Sequence, residues 1–236
     1  MLTISEEEIR ANGPGRLLAV CLRQWRVERA LMRRGVRFRS TLAEDVAAAY
    51  ASMSLEEFDA INGPQAWANW RTIPRALSGN VPDRPLRVFD LGCGTGGSTR
   101  VLAHYLPEGS HFTGYEIAEP MLTFARRRDY RHRSGSPACV DFVCHGVTDE
   151  FQAESAHVDL VNASGVVGHH LRPDTIAPLV AELTRVLVAG GVAMLDAGPT
   201  LPAADLRQIM EGAGFQFQGH HRSWFGDPTG ELVFIK

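Results

Sequence analysis

A glycine-rich stretch between residues 92 and 97 is the clearest candidate for chemistry in this sequence. Four glycines occur there within six positions, and Asp90 stands just before them at the end of an apolar run. Glycine has no Cβ atom, so a nucleotide-sized ligand can approach the backbone, and the helix start that follows offers free N–H groups. Glu116 ends the next apolar run, and its carboxylate can accept two hydrogen bonds from the hydroxyls of a ribose. The pattern therefore predicts a nucleotide-type site in which Asp90 faces a positively charged group of the ligand.

Two adjacent histidines, His169 and His170, are the candidates for acid–base chemistry. Imidazole titrates near neutral pH and can accept a proton from a hydroxyl or an amine. The alternative is that both rings only pack and form hydrogen bonds. A further set of aromatic and basic side chains could cover a substrate by stacking and anion pairing, with core packing as the alternative for the tryptophans. This set consists of Trp67, Trp70, Arg71 and Trp224.

Alternating strand and helix patterns from residue 86 onward predict a parallel sheet with helices on both faces. The predicted strands lie near 86–91, 111–116, 139–145, 157–163 and 191–196, and the predicted helices near 97–106, 119–128, 173–188 and 202–212. The last segments, 215–225 and 231–235, flank a turn and form a predicted hairpin, which makes the final strand antiparallel. The loops that carry Asp90, Glu116 and the histidines then meet beyond the carboxyl ends of the strands, where open α/β sheets bind ligands.

Residues 1–84 have helical patterns and are separated from residues 85–236 by a polar stretch with two prolines. The predicted helix starts are Ser5, Thr41 and Ser54, each in a capping-box pattern, and Pro64. Pro74 is expected to kink or end the last of these helices. We expect this N-terminal region to form a helical lid that completes a substrate pocket.

An arginine-rich helix is predicted from Arg16 to Arg34, with Gly35 at its end. Its apolar residues at helical spacing are Leu18, Leu22, Trp25 and Met32. One flank of this helix carries Arg23, Arg26, Arg29 and Arg33. Such a flank is typical either of a surface for nucleic acid or an acidic substrate, or of a solvated face beside an apolar stripe.

The overall composition sets limits on the class of protein. The chain has 236 residues, a net charge of −3 and 44% hydrophobic residues, enough for one large α/β domain with an appendage. No apolar run is long enough to cross a membrane, and residues 1–8 lack the pattern of a signal peptide. The four cysteines show no metal-ligand spacing, so we expect reduced thiols and a cytoplasmic protein without a metal site.

The segment Asp90-x-Gly92-x-Gly94-x-Gly96 resembles the first motif of the class I S-adenosylmethionine-dependent methyltransferases, and Glu116 matches the acid that ends their second strand. The resemblance covers roughly residues 85–236. Taken literally, Gly92-x-Gly94-x-x-Gly97 also satisfies the dinucleotide fingerprint of NAD enzymes. The closing hairpin is similar to the end of the methyltransferase fold and unlike the usual course of a dinucleotide domain. It therefore favours S-adenosylmethionine over NAD.

The resemblance implies a Rossmann-like, doubly wound α/β fold: a seven-stranded sheet, mostly parallel with an antiparallel C-terminal strand, beside the N-terminal helical lid. It also implies where S-adenosylmethionine and the product S-adenosylhomocysteine would bind. The implied cofactor-binding residues are Asp90, Gly92, Cys93, Gly94, Thr95, Gly96, Glu116, Ile117, Gly146, Val147, Thr148, Asn162, Ala163 and Ser164. The family often has an aspartate after strand three that meets the adenine amine. Here the sequence is His145-Gly146-Val147-Thr148, so Thr148 or a backbone group would take that place.

The expected function is methyl transfer to an oxygen or nitrogen atom of a small, partly apolar molecule, with His169 or His170 as the base and without a metal ion. The end of the fourth strand lacks the carboxylate cluster of metal-assisted catechol chemistry. An RNA methyltransferase or nucleic-acid binder that uses the N-terminal arginines is the alternative, followed by an NAD-dependent oxidoreductase. No membrane partner is expected, and the sequence leaves monomer and homodimer open.

Overall fold

The computed structural model describes residues 14–223 and 227–236 and is built around a seven-stranded sheet. The strands are β1 (Arg87–Leu91), β2 (His111–Glu116), β3 (Cys139–Cys144), β4 (Val158–Ala163), β5 (Leu187–Asp196), β6 (Gln216–Ser223) and β7 (Asp227–Ile235). Their order is β3-β2-β1-β4-β5-β7-β6, with β1 to β5 parallel and β7 antiparallel to both of its neighbours. The predicted fold class is confirmed, including the antiparallel hairpin that closes the sheet.

Helices cover both faces of this sheet. In the described part of the chain they are α1 (Leu17–Arg33), α2 (Ala43–Ala51), α3 (Leu55–Ile61), α4 (Gly63–Leu77), α5 (Gly97–Tyr105), α6 (Glu119–Ala125), α7 (Val167–His170), α8 (Ala177–Val186) and α9 (Ala203–Gly212). The helix predicted over 173–188 is shorter than expected, because β5 already begins at Leu187, where it pairs with Val158 of β4. None of the described helices has both the length and the apolar character needed to span a bilayer.

Each face of the sheet carries its own apolar core, because successive strand residues point to opposite sides. Phe89 of β1 packs with α8 and α9, whereas its neighbour Val88 packs with α4 and α5. Helix α4 contributes Trp70, Ile73, Ala76 and Leu77 to this second core. It therefore packs as one of the sheet's own helices. We propose that the sheet unit begins with α4 and that the lid consists of α1 to α3, rather than a division between residues 84 and 85.

Helices α1 to α3 form a third apolar cluster, which also includes Met121 of α6. Helix α1 ends at Gly35, where φ is +76°, as the sequence predicts. Its buried face differs from the predicted stripe. The exposed fractions of Leu18, Leu22, Trp25 and Met32 are 71, 47, 54 and 52%. The residue that α1 buries fully is Leu31, which packs among Phe38 and Phe58. The apolar spacing therefore predicts the helix but not the face that it buries.

Two of the predicted helix starts are confirmed. Ser54 and Glu57 form a reciprocal capping box at α3, with the Ser54 N–H 3.0 Å from Glu57 Oε2 and the Glu57 N–H 3.2 Å from Ser54 Oγ. Pro64 lies in the first turn of α4. Ser5 lies outside the described residues.

The start predicted at Thr41 is wrong, because α2 begins one residue later, with Leu42 as its N-cap and without a side-chain capping bond. Ser40 instead holds the turn before the helix. Ser40 Oγ accepts a hydrogen bond from the N–H of Leu42 (3.1 Å) and donates one to Asp45 Oδ2 (3.0 Å). Pro74 lies inside the last turn of α4, which continues to Leu77. Proline has no N–H to donate to the helix, but at this position the missing hydrogen bond lies in the final turn of α4. The helix therefore continues to its end.

Candidate active site

Asp90, at the end of β1, holds the glycine-rich loop. Its Oδ2 accepts hydrogen bonds from Ser98 Oγ (2.7 Å) and Thr99 Oγ1 (2.5 Å) at the start of α5, and its Oδ1 accepts one from Asn162 Nδ2 (2.8 Å) on β4. Burial raises the pKa of Asp90, and these three donors oppose that rise. The expectation that Asp90 faces a cationic group of the ligand is wrong, because the side chain is 0% exposed and its oxygens are bonded within the protein.

Glu116, at the end of β2, contacts the same loop. Its Oε2 accepts the N–H of Gly94 (3.0 Å), and its Oε1 accepts the N–H of Ala118 (2.9 Å). Burial raises the pKa of Glu116, while the backbone donors lower it. Each carboxylate oxygen keeps a further lone pair. Glu116 can therefore support the loop and accept hydrogen bonds from a ligand at the same time.

The glycines of the loop are required by backbone geometry and by close packing. Gly92, Gly94 and Gly96 have φ values of +63, +54 and +82°, which residues with side chains rarely adopt. A Cβ on Gly94 would lie 2.6 Å from the ring of Phe58 on α3, and a Cβ on Gly92 would lie 2.0 Å from a methyl group of Val166. The lid and the loop after β4 therefore approach the glycine backbone directly.

The first of three cavities around this loop has a volume of about 500 Å³. The predicted cofactor residues in its wall, from the carboxyl ends of the parallel strands, are Gly92, Glu116, Ile117, Gly146, Val147, Thr148 and Ser164. The lid contributes Thr41, Ala43, Val46, Tyr50 and Phe58. The structure thus brings residues from the ends of β1, β2, β3 and β4 into one space beneath α2 and α3. We refer to this space as the strand-end cavity.

The second cavity, about 290 Å³, lies between the glycine-rich loop and α4. Its walls include the predicted residues Gly92, Cys93, Gly94, Thr95 and Trp70, together with Asp59, Gln65, Asn69 and Arg128. The third cavity, about 430 Å³, contains His169 and His170, with Tyr50, Phe38, Arg39, Ile61 and Pro64 from the N-terminal helices and their connections. We refer to these as the loop cavity and the histidine cavity.

Asn62 joins the three cavities. It follows α3 and precedes α4, and it lines the strand-end, loop and histidine cavities. No other described residue lines all three. The Asn62 Nδ2 donates a hydrogen bond to the carbonyl of Phe58 (3.0 Å), which fixes the orientation of the amide. The three spaces therefore meet at one oriented polar side chain beside the glycine-rich loop.

The turn that carries the two histidines is held by Asp196, the last residue of β5. Its carboxylate accepts the N–H groups of Val166 (2.9 Å), Val167 (2.8 Å) and Gly168 (3.0 Å). Gly168 also packs directly on another backbone segment, since a Cβ there would lie 2.1 Å from Gly198 N. The position of the histidines is thus set by the end of β5.

His170 has one assignable neutral form. Its Nδ1 lies 2.9 Å from the carbonyl of Ser40, and its Nε2 lies 3.2 Å from Tyr50 Oη. A carbonyl only accepts, so Nδ1 carries the proton and Nε2 is left as an acceptor. Burial lowers the pKa of His170, so that the ring is neutral at pH 7. His169 is half-buried in the wall of the same cavity.

Some of the predicted cofactor residues do not reach a cavity. Gly96, Asn162 and Ala163 are buried and line none of the three spaces. Asn162 donates to Asp90, and Gly96 packs on Tyr130, whose hydroxyl would lie 1.9 Å from a Cβ at that position. These residues shape the loop from behind, and their predicted role in cofactor binding stays a prediction.

The predicted substrate residues are divided in the same way. Trp67 is 4% exposed, lies outside the three cavities and stacks under the guanidinium of Arg71 at 3.5 Å. Arg71 also donates to the carbonyl of Trp67, and it too lines none of these spaces. Trp70 lines the loop cavity and belongs to the apolar core under α4. Trp224 lies outside the described residues.

Several residues of the site were not predicted from the sequence: Tyr50, Phe58, Asn62, Asp149 and Asp196. For two of them a signal was present. Asp196 ends a predicted strand, and Asp149 directly follows the stretch in which an adenine contact was expected. Asp149 lines the strand-end cavity, and its Oδ2 accepts the N–H of Gly146 (3.1 Å). The lid residues had no such signal, because their helices show only a general amphipathic pattern.

Comparisons with known proteins agree with this geometry. A family profile described as "Methyltransferase domain" matches residues 88–191, from β1 into β5. The matched residues contain the glycine-rich loop, Glu116 and the histidine turn. Among solved structures, this chain is similar to magnesium protoporphyrin IX methyltransferase from Synechocystis, determined with bound S-adenosylmethionine. The TM-score is 0.60 at 18% identity, over 82% of this chain and 96% of that chain. This likeness concerns the fold.

Curated relatives extend the comparison at the sequence level. The chain is 30% identical over 193 residues to an uncharacterized protein of Synechococcus sp., covering 79% of this chain and 44% of that protein. It is 36% identical over 110 residues to trans-aconitate 2-methyltransferase of Acidovorax sp., covering 46% of this chain and 36% of that protein. The chain thus spans less than half of the length of either relative.

Across residues 14–223 and 227–236, no three histidine, cysteine, aspartate or glutamate side chains are arranged to hold a metal ion. All four cysteines are free thiols. Burial strongly raises the pKa of Cys93, which keeps this thiol of the glycine-rich loop protonated.

Proposed function

We propose that the protein is a methyltransferase that uses S-adenosylmethionine to methylate an oxygen or nitrogen atom of a small, partly apolar molecule without a metal ion. The observation that carries this proposal is the meeting of three cavities at Asn62. The sulfur of S-adenosylmethionine carries three groups: an adenosyl group, an amino-acid chain and a methyl group. Two of the cavities suit the adenosyl group and the amino-acid chain, and the third suits the acceptor that the methyl group must reach.

The strand-end cavity suits the adenosyl group. Glu116 would accept hydrogen bonds from the ribose hydroxyls, since its carboxylate has acceptor capacity left beside its two backbone bonds. Ile117 would cover the adenine face, and Thr148 and Asp149 offer acceptors for the adenine amine. A volume of about 500 Å³ is within the usual range for ligand sites of about 300–1,000 Å³.

The loop cavity suits the amino-acid chain of the cofactor. It is lined on one side by the backbone of the glycine-rich loop and on the other by polar side chains of the lid and α4. Arg128 Nη2 donates to Thr95 Oγ1 (2.8 Å) and lies 3.4 Å from Asp59 Oδ1. A cation and a carboxylate on the same wall are complementary to the carboxylate and ammonium of an amino acid.

The histidine cavity suits the methyl acceptor. Phe38, Ile61 and Pro64 give it apolar walls, and the volume of about 430 Å³ admits a small organic molecule but not a folded RNA. Of the arginines in the nucleic-acid alternative, Arg23 lines the loop cavity, whereas Arg26, Arg29 and Arg33 are exposed on α1 and line none of the three cavities. The volume and the apolar walls of the histidine cavity therefore favour a small molecule.

Isothermal titration with S-adenosylhomocysteine and, separately, with NADH tests this assignment. We expect stoichiometric binding of S-adenosylhomocysteine and no heat from NADH. Binding of NADH alone would replace the proposal with the oxidoreductase alternative. Retention on an RNA column that falls steeply as salt is raised would instead support the nucleic-acid alternative, because phosphate binding releases counterions.

A further inference from the structure

Tyr50 of α2 and His170 of α7 form a hydrogen-bonded pair between two of the cavities. Both side chains line the strand-end cavity and the histidine cavity, and Tyr50 Oη lies 3.2 Å from His170 Nε2. The two rings are perpendicular, with centroids 6.2 Å apart. If the proposed function is correct, this pair stands where the bound cofactor and the methyl acceptor come together.

The hydrogen bonds around the pair fix the positions of its protons. His170 Nδ1 donates to the Ser40 carbonyl, so Nε2 of the neutral ring holds a lone pair. Tyr50 therefore donates its hydroxyl proton to Nε2. The Tyr50 oxygen keeps two lone pairs, which can accept a hydrogen bond from a ligand in the histidine cavity. The pair is oriented to pass a proton from the cavity to His170.

Three titratable groups face the pair from neighbouring elements. Burial raises the pKa of Tyr50, and the charge of Glu116 on β2 adds to that rise. Burial is also the largest effect on His170 and lowers its pKa; His169 lowers it further, whereas the Ser40 carbonyl and Asp196 on β5 raise it. At neutral pH the pair consequently holds a phenol and a neutral imidazole, the forms that a relay requires.

We propose that Tyr50 relays a proton from a hydroxyl group of the acceptor to His170, and that the acceptor is an un-ionised alcohol or phenol. This inference deepens the proposed function and rests on it. As the acceptor oxygen forms its bond to the methyl carbon, its proton moves to Tyr50 Oη, and the Tyr50 proton moves to His170 Nε2. When bound, S-adenosylmethionine supplies the electrophilic methyl group and keeps the electron pair of the broken C–S bond. The resulting imidazolium is stabilised by the Ser40 carbonyl and Asp196, and it later releases its proton to water.

Other acceptor classes fit the cavity less well. A carboxylate is ionised at neutral pH and has no proton to give. It would also enter a region that already holds the carboxylates of Glu116 and Asp196, while Arg39 of the cavity wall is paired with Glu28 at 2.7 Å. An alkylammonium would bring a positive charge towards a sulfonium. A neutral hydroxyl avoids both electrostatic costs and makes use of the relay.

The first test needs neither cofactor nor acceptor. Long-range ¹H–¹⁵N correlation spectra of the whole protein report which ring nitrogen of His170 is protonated, with the signals assigned by His170→Gln. We expect the Nδ1–H form and a titration midpoint below the ordinary value of about 6.5. Tyr50→Phe removes a donor that favours the neutral ring, so it should raise this midpoint. Tyr105→Phe is the matched control, because Tyr105 is 37% exposed and packs on His104 outside the cavities. An Nε2–H form, or a midpoint that Tyr50→Phe leaves unchanged, would overturn the relay.

The second test uses three probes of similar size: 4-methylphenol, benzoate and benzylamine. Release of S-adenosylhomocysteine is measured with each. We expect turnover of the phenol, and a loss of kcat of about 10²-fold or more in Tyr50→Phe with little change in KM, since positioned proton transfer contributes about 10²–10⁴-fold. The acid limb of the pH profile should follow the NMR midpoint of His170. Preference for benzoate or benzylamine over the phenol, or full kcat in Tyr50→Phe, would overturn the inference. The proposed function would still stand in that case if the protein binds S-adenosylhomocysteine.

Discussion

Three acidic side chains at strand ends hold the loops of the site together. Asp90, Glu116 and Asp196 end β1, β2 and β5, and each is at most 3% exposed. A buried carboxylate without partners costs several kcal/mol, so each one needs donors. Asp90 receives them from side chains, whereas Glu116 and Asp196 receive them from backbone N–H groups. Of the three, Glu116 alone lines a cavity, so it combines loop support with ligand binding.

Replacing Glu116 should separate these two roles. Glu116→Gln keeps one acceptor oxygen, and we expect the affinity for S-adenosylhomocysteine to fall about tenfold or more, because a hydrogen bond to a charged group contributes about 1.5–3 kcal/mol. Glu116→Ala leaves the N–H groups of Gly94 and Ala118 without their acceptor and should also lower the free energy of unfolding by about 2 kcal/mol or more. Titration calorimetry and urea unfolding measure the two effects. Equal affinity of Glu116→Gln and the natural protein would exclude a ribose contact.

The raised pKa of Glu116 also sets the sign of a pH effect. The folded protein binds this proton more tightly than the unfolded chain does, so the contribution of Glu116 to stability decreases as pH rises above about 4.3. Glutamine does not titrate. As pH rises from about 4 to about 7, the unfolding free energy of Glu116→Gln should therefore increase relative to that of the natural protein. A difference that is constant over this range would mean that the folded carboxyl has an ordinary pKa.

At the scale of elements, the histidine turn depends on a close backbone contact. Helix α7 is only one turn long, so its own hydrogen bonds cannot hold it in place. It is held by the Asp196 carboxylate at its start and by the contact of Gly168 with the segment after β5. Thr200 adds two bonds to the Gly168 carbonyl, from its N–H (3.0 Å) and its hydroxyl (2.7 Å). The position of His170 is thus determined by β5.

Gly168→Ala tests this dependence. The added Cβ would meet backbone atoms of Ala197 and Gly198 at 2.1 Å, and backbone cannot rotate away as a side chain can. We expect a loss of about 1–3 kcal/mol in unfolding free energy and a displaced His170 ring signal in NMR spectra. Gly212→Ala is the control, because nothing lies within 4 Å of its Cβ position at the end of α9. Its stability should change by about 0.5 kcal/mol or less, or improve. An unchanged His170 signal in Gly168→Ala would contradict the positioning role.

At the scale of the whole molecule, the lid closes the cofactor site and completes the acceptor site. Phe58 packs on Gly94, and Tyr50 and Ser40 bind His170, so α2, α3 and the segment before them contact the sheet's functional edge. Asp59 of α3 is linked to Thr95 of the loop through Arg128. The lid and the strand ends both line the strand-end cavity, so we expect these contacts to influence the exchange of a bound cofactor.

Arg128→Gln weakens this link and should speed the release of S-adenosylhomocysteine. Partly exposed ion pairs contribute about 0.2–1 kcal/mol, so we expect an increase of up to about fivefold in the dissociation rate. Arg127→Gln is the matched control, since the Arg127 side chain is exposed and forms no ion pair with the residues that the structure describes. Stopped-flow displacement measures both rates. Equal dissociation rates in the two variants would show that S-adenosylhomocysteine leaves without breaking the contacts of Arg128.

The sequence by itself determined the sheet and the cofactor side of the site. Strand and helix periods are local signals, and parallel strands necessarily place their carboxyl ends at one edge, so the loops after β1 to β4 could be placed without coordinates. Glu116, Ile117 and the stretch from Gly146 to Thr148 were predicted in this way and line one cavity. Asp90 shows the limit of such reasoning, because position at a strand end does not reveal whether a carboxylate is enclosed.

Only the tertiary structure decided how the N-terminal helices meet the sheet. An amphipathic period reveals that a helix has an apolar stripe, but the partner of that stripe depends on long-range packing. The predicted stripe of α1 is exposed, whereas α2 and α3 place Tyr50 and Phe58 over the strand ends. These contacts join residues separated by more than a hundred positions, such as Tyr50 and His170. Local propensity carries no information about such pairs, because they form only when the lid packs against the sheet.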